Sequence, residues 1–150
     1  MMLKVVLDAN IFISAALKPQ SSLATIFELI KQGKIKLILS GDILSEIRAV
    51  LLYPKIKKRH RRSSKEIAKF LKETVRVSLF TPGKVKVEEI KEDPEDNKYL
   101  SAAVEMKADF IVSGDRHLRD LRIFEGTRIL DPSTFLNFIA RSTENKKQDN

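Results

Sequence analysis

The strongest constraint on this chain is a repeated alternation of short, almost unbroken apolar runs with stretches of helical spacing. Lys4 to Leu7, Ile35 to Leu39, Val75 to Phe80, Asp109 to Ser113 and Arg128 to Leu130 each read as strands. Successive side chains of a strand point to opposite faces, so a strand that is apolar at consecutive positions must be covered on both sides. The expected fold class is therefore α/β, a mainly parallel sheet layered between helices. Ile11 to Leu17 is a short helix broken at Pro19. Ser21 and Ser22 cap a second one, with Leu23, Ile26, Phe27 and Ile30 inside it and Gly33 at its end. Ile43, Leu44, Ile47, Val50 and Leu51 mark a third, closed by Pro54, and Ile67, Phe70 and Leu71 mark another. A turn at Thr81-Pro82-Gly83 follows. EDPEDNKYLSAAVEM is a helix with Pro94 at its start, and Asp131-Pro132-Ser133 opens a last helix running through Ile139. From Arg141 onward no residue is apolar, so 141–150 reads as a frayed, disordered tail behind one domain over 1–140.

Composition narrows the class of molecule. A chain of 150 residues with 43% hydrophobic and 32% charged side chains can bury a core as one globular domain. No run reaches the roughly 18 apolar residues that span a bilayer, and the first residues carry no secretory pattern, so a cytoplasmic protein with no membrane association is expected. The absence of cysteine excludes disulfides, thiolate metal sites and cysteine nucleophiles. A net charge of +8 calls for a polyanionic partner.

Two aspartates stand at the carboxyl ends of strands, where open parallel sheets gather ligands. Asp8 follows Val5, Val6 and Leu7, and Asp115 follows Ile111, Val112 and the turn Ser113-Gly114. Each also precedes a helix and can be read as a simple N-cap. Glu46 has Ile43, Ile47 and Val50 at i−3, i+1 and i+4, which places it on the edge of the buried stripe of a helix that begins near the same sheet edge. Asp42, beside Ser40 and Gly41, reads as a cap. Asp96 precedes Tyr99 and Leu100 by three and four positions and shares their inward face, while Asp93 before Pro94 reads as a cap. Both also suit the positive end of the helix dipole. Carboxylates gathered at one edge repel, raise their pKa values or need a cation. Mg²⁺, with Mn²⁺ as a substitute, fits an all-oxygen site, and zinc suits it less with only His60 and His117 available. Such an ion activates water and polarises a phosphoryl oxygen, which asks for a phosphate substrate.

A basic stretch supplies the means to hold one. Lys55, Lys57, Lys58, Arg59, Arg61 and Arg62 surround His60 between two helices, either as a solvated loop or as a polyanion surface. Tyr53 and Phe70 only flank the run, so contact with a nucleic-acid backbone is expected rather than stacking on several bases.

KVVLDANIFISAAL, the Glu46 helix, DPEDNKYLSAAV and KADFIVSGDRHL, in that order, resemble the PIN-domain ribonucleases, particularly the toxin components of VapC type. The resemblance runs to about Phe138. It implies a three-layer α/β/α sandwich and Mg²⁺- or Mn²⁺-dependent hydrolysis of RNA phosphodiester bonds, leaving 5′-phosphate and 3′-hydroxyl ends. Carried over by position, Asp8, Glu46, Asp96 and Asp115 become the catalytic and metal-holding acids, with Asn10 and Ser113 orienting water or ligands. Asp93, Asp96 and Asn97 compete for the place at the start of the DPEDN helix. The resemblance also implies a homodimer and an antitoxin partner whose tail covers the site. A haloacid-dehalogenase-like phosphatase shares the apolar strand ending in Asp but wants a second Asp where Asn10 stands. A non-catalytic RNA-binding module is disfavoured by the presence of all four acids.

Overall fold

The computed structural model describes residues 2–148, with side chains described through Ser142. In chain order it forms β1 (Leu3–Leu7), α1 (Ala9–Leu17), α2 (Ala24–Lys31), β2 (Ile35–Leu39), α3 (Gly41–Leu52) and α4 (Pro54–His60). There follow α5 (Ser64–Arg76), β3 (Leu79–Phe80), a 3-10 turn (Pro94–Asp96), α6 (Asn97–Met106) and β4 (Phe110–Val112). The chain closes with α7 (Arg116–Arg119), β5 (Ile123–Phe124), β6 (Thr127–Leu130) and α8 (Pro132–Gln148). The strands form one six-stranded sheet in the order β3-β2-β1-β4-β6-β5, parallel throughout except for β5 against β6. This is the expected α/β/α sandwich.

β1 lies at the centre, with Val5, Val6 and Leu7 all buried, as consecutive apolar residues require. The chain leaves β1 toward β2 on one side and returns to β4 on the other, so the carboxyl ends of β1 and β4 flank the switch in strand order where a crevice opens. Leu7 pairs with Val112 across this line, and the Asp8 amide donates to the Val112 carbonyl at 3.1 Å. The loops carrying Asp8 and Asp115 thus start side by side. Phe12, Phe27 and Phe70 pack with ring centres 5.9 to 6.1 Å apart where α1, α2 and α5 meet, and Phe110 packs on Phe135 and Phe138 under α8.

Several elements differ from the sequence reading. Val75 to Phe80 is not one strand: α5 runs through Arg76, and only Leu79 and Phe80 pair, with Ile38 and Leu39. A capping box between Ser63 and Glu66 starts α5, and the buried stripe of Ile67, Leu71 and Thr74 carries its helical period into the apolar run. The basic stretch is itself helical. Pro54 not only closes α3 but opens α4 at its first position, with Tyr53 in the extended conformation a residue before proline prefers. β5 was not expected; Glu125 and Gly126 both have positive φ and form the two-residue turn that joins it to β6. The last helix extends beyond Ile139 to Gln148, so the backbone of most of the expected tail is helical, while residues 149–150 lie outside the described residues. No helix among the described residues is long and apolar enough to cross a membrane.

Candidate active site

Asp8 is the N-cap of α1 and a buried carboxylate in its own right. Its Oδ1 accepts from the Ile11 amide at 2.8 Å, and its Oδ2 accepts from the Ser113 hydroxyl at 2.5 Å and the Gly114 amide at 3.3 Å. Burial raises its pKa, and these three donors hold the rise back. Ser113 also accepts from the Asp115 amide at 2.9 Å, so one hydroxyl ties the first acid to the loop of the last. Asp115 caps α7 by accepting from the amides of His117 and Leu118, and the His117 Nδ1 stands 3.7 Å from its Oδ1.

Glu46 enters from α3. Its Oε2 accepts from the Tyr99 hydroxyl at 2.5 Å and meets the Lys98 ammonium at 2.7 Å. The same Tyr99 oxygen accepts the Ala9 amide at 3.0 Å, joining Glu46 to the turn behind Asp8. Burial, and next the hydrogen bond to Glu46, raise the Tyr99 pKa and keep the phenol a donor.

Asp96 completes the row from the 3-10 turn. Its Oδ2 is buried and has no hydrogen-bond partner. Burial first, then the charges of Asp115 and Asp93, a hydrogen bond between the Asp96 and Asp115 carboxyls, and the charge of Glu46 push its pKa up to about 7. Ligand atoms of Asp93, Asp96, Asp115 and His117 all lie within 4.8 Å of one another. An orphaned carboxylate oxygen inside such a group is the donor set a divalent cation satisfies, so the residues present fit a metal.

Of the four acids expected from the sequence, Asp8 and the Asp115 loop are joined through Ser113 beyond β1 and β4, and Asp96 feels the charges of Asp115 and Glu46. The compact group is a different four, however: the Asp93 side chain makes no capping hydrogen bond and instead joins Asp96 and Asp115, and His117 adds a nitrogen. Asp8 and Glu46 flank that group, held by protein donors. Ser113 bridges the Asp8 carboxylate and the Asp115 amide. Asn97 turns away, its amide accepting from Ile90 N at 2.8 Å and donating to Ile90 O at 2.9 Å. Asn10 is exposed on the first turn of α1. Lys98 and the hydroxyl of Tyr99 were missed, because each acquires its role from a contact with a distant helix that no spacing encodes.

In the basic segment Lys55, Lys58, Arg59 and Arg61 are exposed. Lys57 donates to the Ser64 hydroxyl at 3.1 Å, and the Arg62 guanidinium lies 5.7 Å from the Phe70 ring centre. His60 is structural: its Nδ1 accepts from the Arg62 amide at 2.9 Å, which leaves the Nε2 to donate to the Leu51 carbonyl at 3.0 Å.

A parallel α/β sheet with acids gathered at its switch point defines a class of protein that holds its ligand at the carboxyl ends of the strands. A family model described as PIN domain matches residues 4–117, and the chain belongs to that family. PIN domains are generally nucleases and typically use a divalent metal. The chain is also 36% identical, over 120 residues, to "Uncharacterized protein MJ1680" of Methanocaldococcus jannaschii, a match that covers 80% of this chain and 76% of the relative.

Proposed function

We propose that this chain is a metal-dependent endoribonuclease using Mg²⁺ or Mn²⁺. The observation that carries the reading is the buried, unpartnered Asp96 Oδ2 amid Asp93, Asp115 and His117, an arrangement in want of a cation. Asp96 and Asp115 would hold the ion, with Asp93 and His117 beside them and Asp8 and Glu46 on its flanks. When bound, such an ion polarises a phosphoryl oxygen and lowers the pKa of a water. The protein's own groups do the rest. Ser113, Ile11 and Gly114 fix the Asp8 carboxylate, and Tyr99 and Lys98 fix that of Glu46, so neither needs to reorganise when substrate arrives. Both stand ready to orient an attacking water and to accept its proton.

RNA is the substrate this reading assigns. α3 rises about 9 Å from Glu46 to Leu52, and α4 follows directly, so Lys55, Lys58, Arg59 and Arg61 lie within a few nucleotides' reach of the acids. Their contacts are to phosphates. The resemblance to VapC-type toxins extends the proposal to a cytoplasmic homodimer restrained by a cognate antitoxin. An apolar groove of about 390 Å³, lined by Leu44, Leu52, Ile67 and Leu71 with Arg48 and Lys72 beside them, supports such a partner surface.

The test is cleavage of RNA by purified protein with Mg²⁺ or Mn²⁺. Asp8→Asn is expected to abolish cleavage while the circular-dichroism spectrum stays that of the folded chain, because the amide oxygen can still cap Ile11 although its NH2 cannot accept from Gly114. Undiminished cleavage by that variant would overturn the assignment.

A further inference from the structure

We infer that the Lys98 ammonium occupies the Glu46 carboxylate that a second metal would need, so that this chain works with a single divalent ion. The inference rests on the metal-nuclease reading above.

The row of acids is compensated at one end only. At the Glu46 end the Lys98 Nζ lies 2.7 Å from Oε2, with the lysine side chain only 11% exposed. The Tyr99 hydroxyl donates to that same oxygen, and Nζ also sits 3.6 Å from a Glu95 oxygen and 5.6 Å from the Tyr99 ring centre. At the other end Asp93, Asp96 and Asp115 gather with His117, and among the described residues no lysine or arginine pairs with any of these acids. The fold fixes this asymmetry. Lys98 lies in the first turn of α6, two residues after Asp96, so the segment that brings the orphaned carboxylate to one end brings the ammonium to the other.

Two-ion sites need carboxylates around both ions, which stand roughly 3.5 to 4 Å apart. Here Oε2 of Glu46 is already taken, by Lys98 and by the Tyr99 hydroxyl. An ion binding at Glu46 Oε2 would have to displace Lys98 and set a second positive charge against a largely buried ammonium, leaving that ammonium only the longer contact to Glu95, which the low dielectric of the site disfavours. The group at the other end has oxygen and nitrogen donors for one ion and no cation in the way. Lys98 holds the Glu46 carboxylate with a fixed positive charge, without the Lewis acidity or bound water a second ion would bring. It is a positioning residue for Glu46, and the distinction is measurable.

The experiment is a titration of the full chain with Mn²⁺, counting bound ions by electron paramagnetic resonance and calorimetry, with folding checked by circular dichroism. The parent chain is expected to bind one ion. Lys98→Met frees Glu46 and is expected to bind two, Lys98→Arg keeps the charge and one ion, and Lys98→Met combined with Glu46→Gln returns to one. RNA cleavage by Lys98→Met should then depend on the square of the Mn²⁺ concentration below saturation, where the parent depends on its first power. Two ions in the parent, or one ion in a folded Lys98→Met with Glu46 intact, overturns the inference and leaves the nuclease reading standing. A folded parent that binds no Mn²⁺ overturns both. The parent's stoichiometry decides even where a variant fails to fold.

Discussion

Asp96 gives the folded chain a distinctive response to pH. Its carboxyl titrates near 7 in the fold against 3.8 in an unfolded chain, chiefly because it is buried and secondarily because Asp115 and Asp93 face it. Between those values the folded state holds a proton that the unfolded state gives up. The stability this group contributes is therefore complete at low pH and is lost as pH rises through its folded pKa. The metal-free protein is expected to melt at a lower temperature at pH 8 than at pH 5.5, and Asp96→Asn is expected to flatten that dependence by a few degrees; melting curves across this range decide. Asn97 offers the opposite test. Its side chain closes two hydrogen bonds on Ile90, so Asn97→Ala should cost about 1–3 kcal/mol in urea unfolding, with Mn²⁺ affinity unchanged. At this scale the sequence yields what lies at strand ends or on inward helix faces: Asp8, Glu46, Asp96 and Asp115 all reveal themselves by local position. The roles of Asp93, His117, Lys98 and Tyr99 depend on which segments the sheet brings together, and that information is absent from any single stretch.

Among the elements, α4 carries the clearest functional prediction. Removing Lys58 and Arg59 together should weaken RNA binding for all sequences alike, and should lower the slope of log affinity against log salt by about one per cation lost. Filter binding at several salt concentrations measures both quantities. Local chemistry also explains which elements were legible. β1, β2 and β4 announce themselves by unbroken apolar runs in a parallel sheet. Val75 was read as strand because its own neighbours are β-branched, yet the capping box at Ser63 and the stripe beneath it keep it helical. α4 hid behind its charge, which resembles a loop until Pro54 is seen as a first helical residue. The hairpin of β5 and β6 hid because Glu125, an ordinary residue, takes a positive φ there.

For the whole molecule, the relation between metal and fold follows from linkage. An ion that binds the folded acids and not the unfolded chain stabilises by about 2.7 kcal/mol at a hundredfold excess over its Kd, on the order of 5 to 10 °C in melting temperature. Mn²⁺ at pH 8 is expected to produce such a rise and EDTA to reverse it, as read by differential scanning fluorimetry. The acids come from the loops after β1 and β4, from α3 and from the turn before α6, so the site exists only when the sheet is complete. The sheet's two outer strands have a consequence of a different kind. β3 and β5 are each two residues long, and past β3 the chain is drawn off at Pro82 and fastened where Glu105 accepts the amides of Gly83 and Lys84. Neither border offers a ladder long enough to template another chain, although Phe80 and Ile123 stand exposed on them. Among the described residues, outer strands this short disfavour recruitment by strand addition. The broad surfaces left for a partner are its helices and the crevice at the sheet's carboxyl rim.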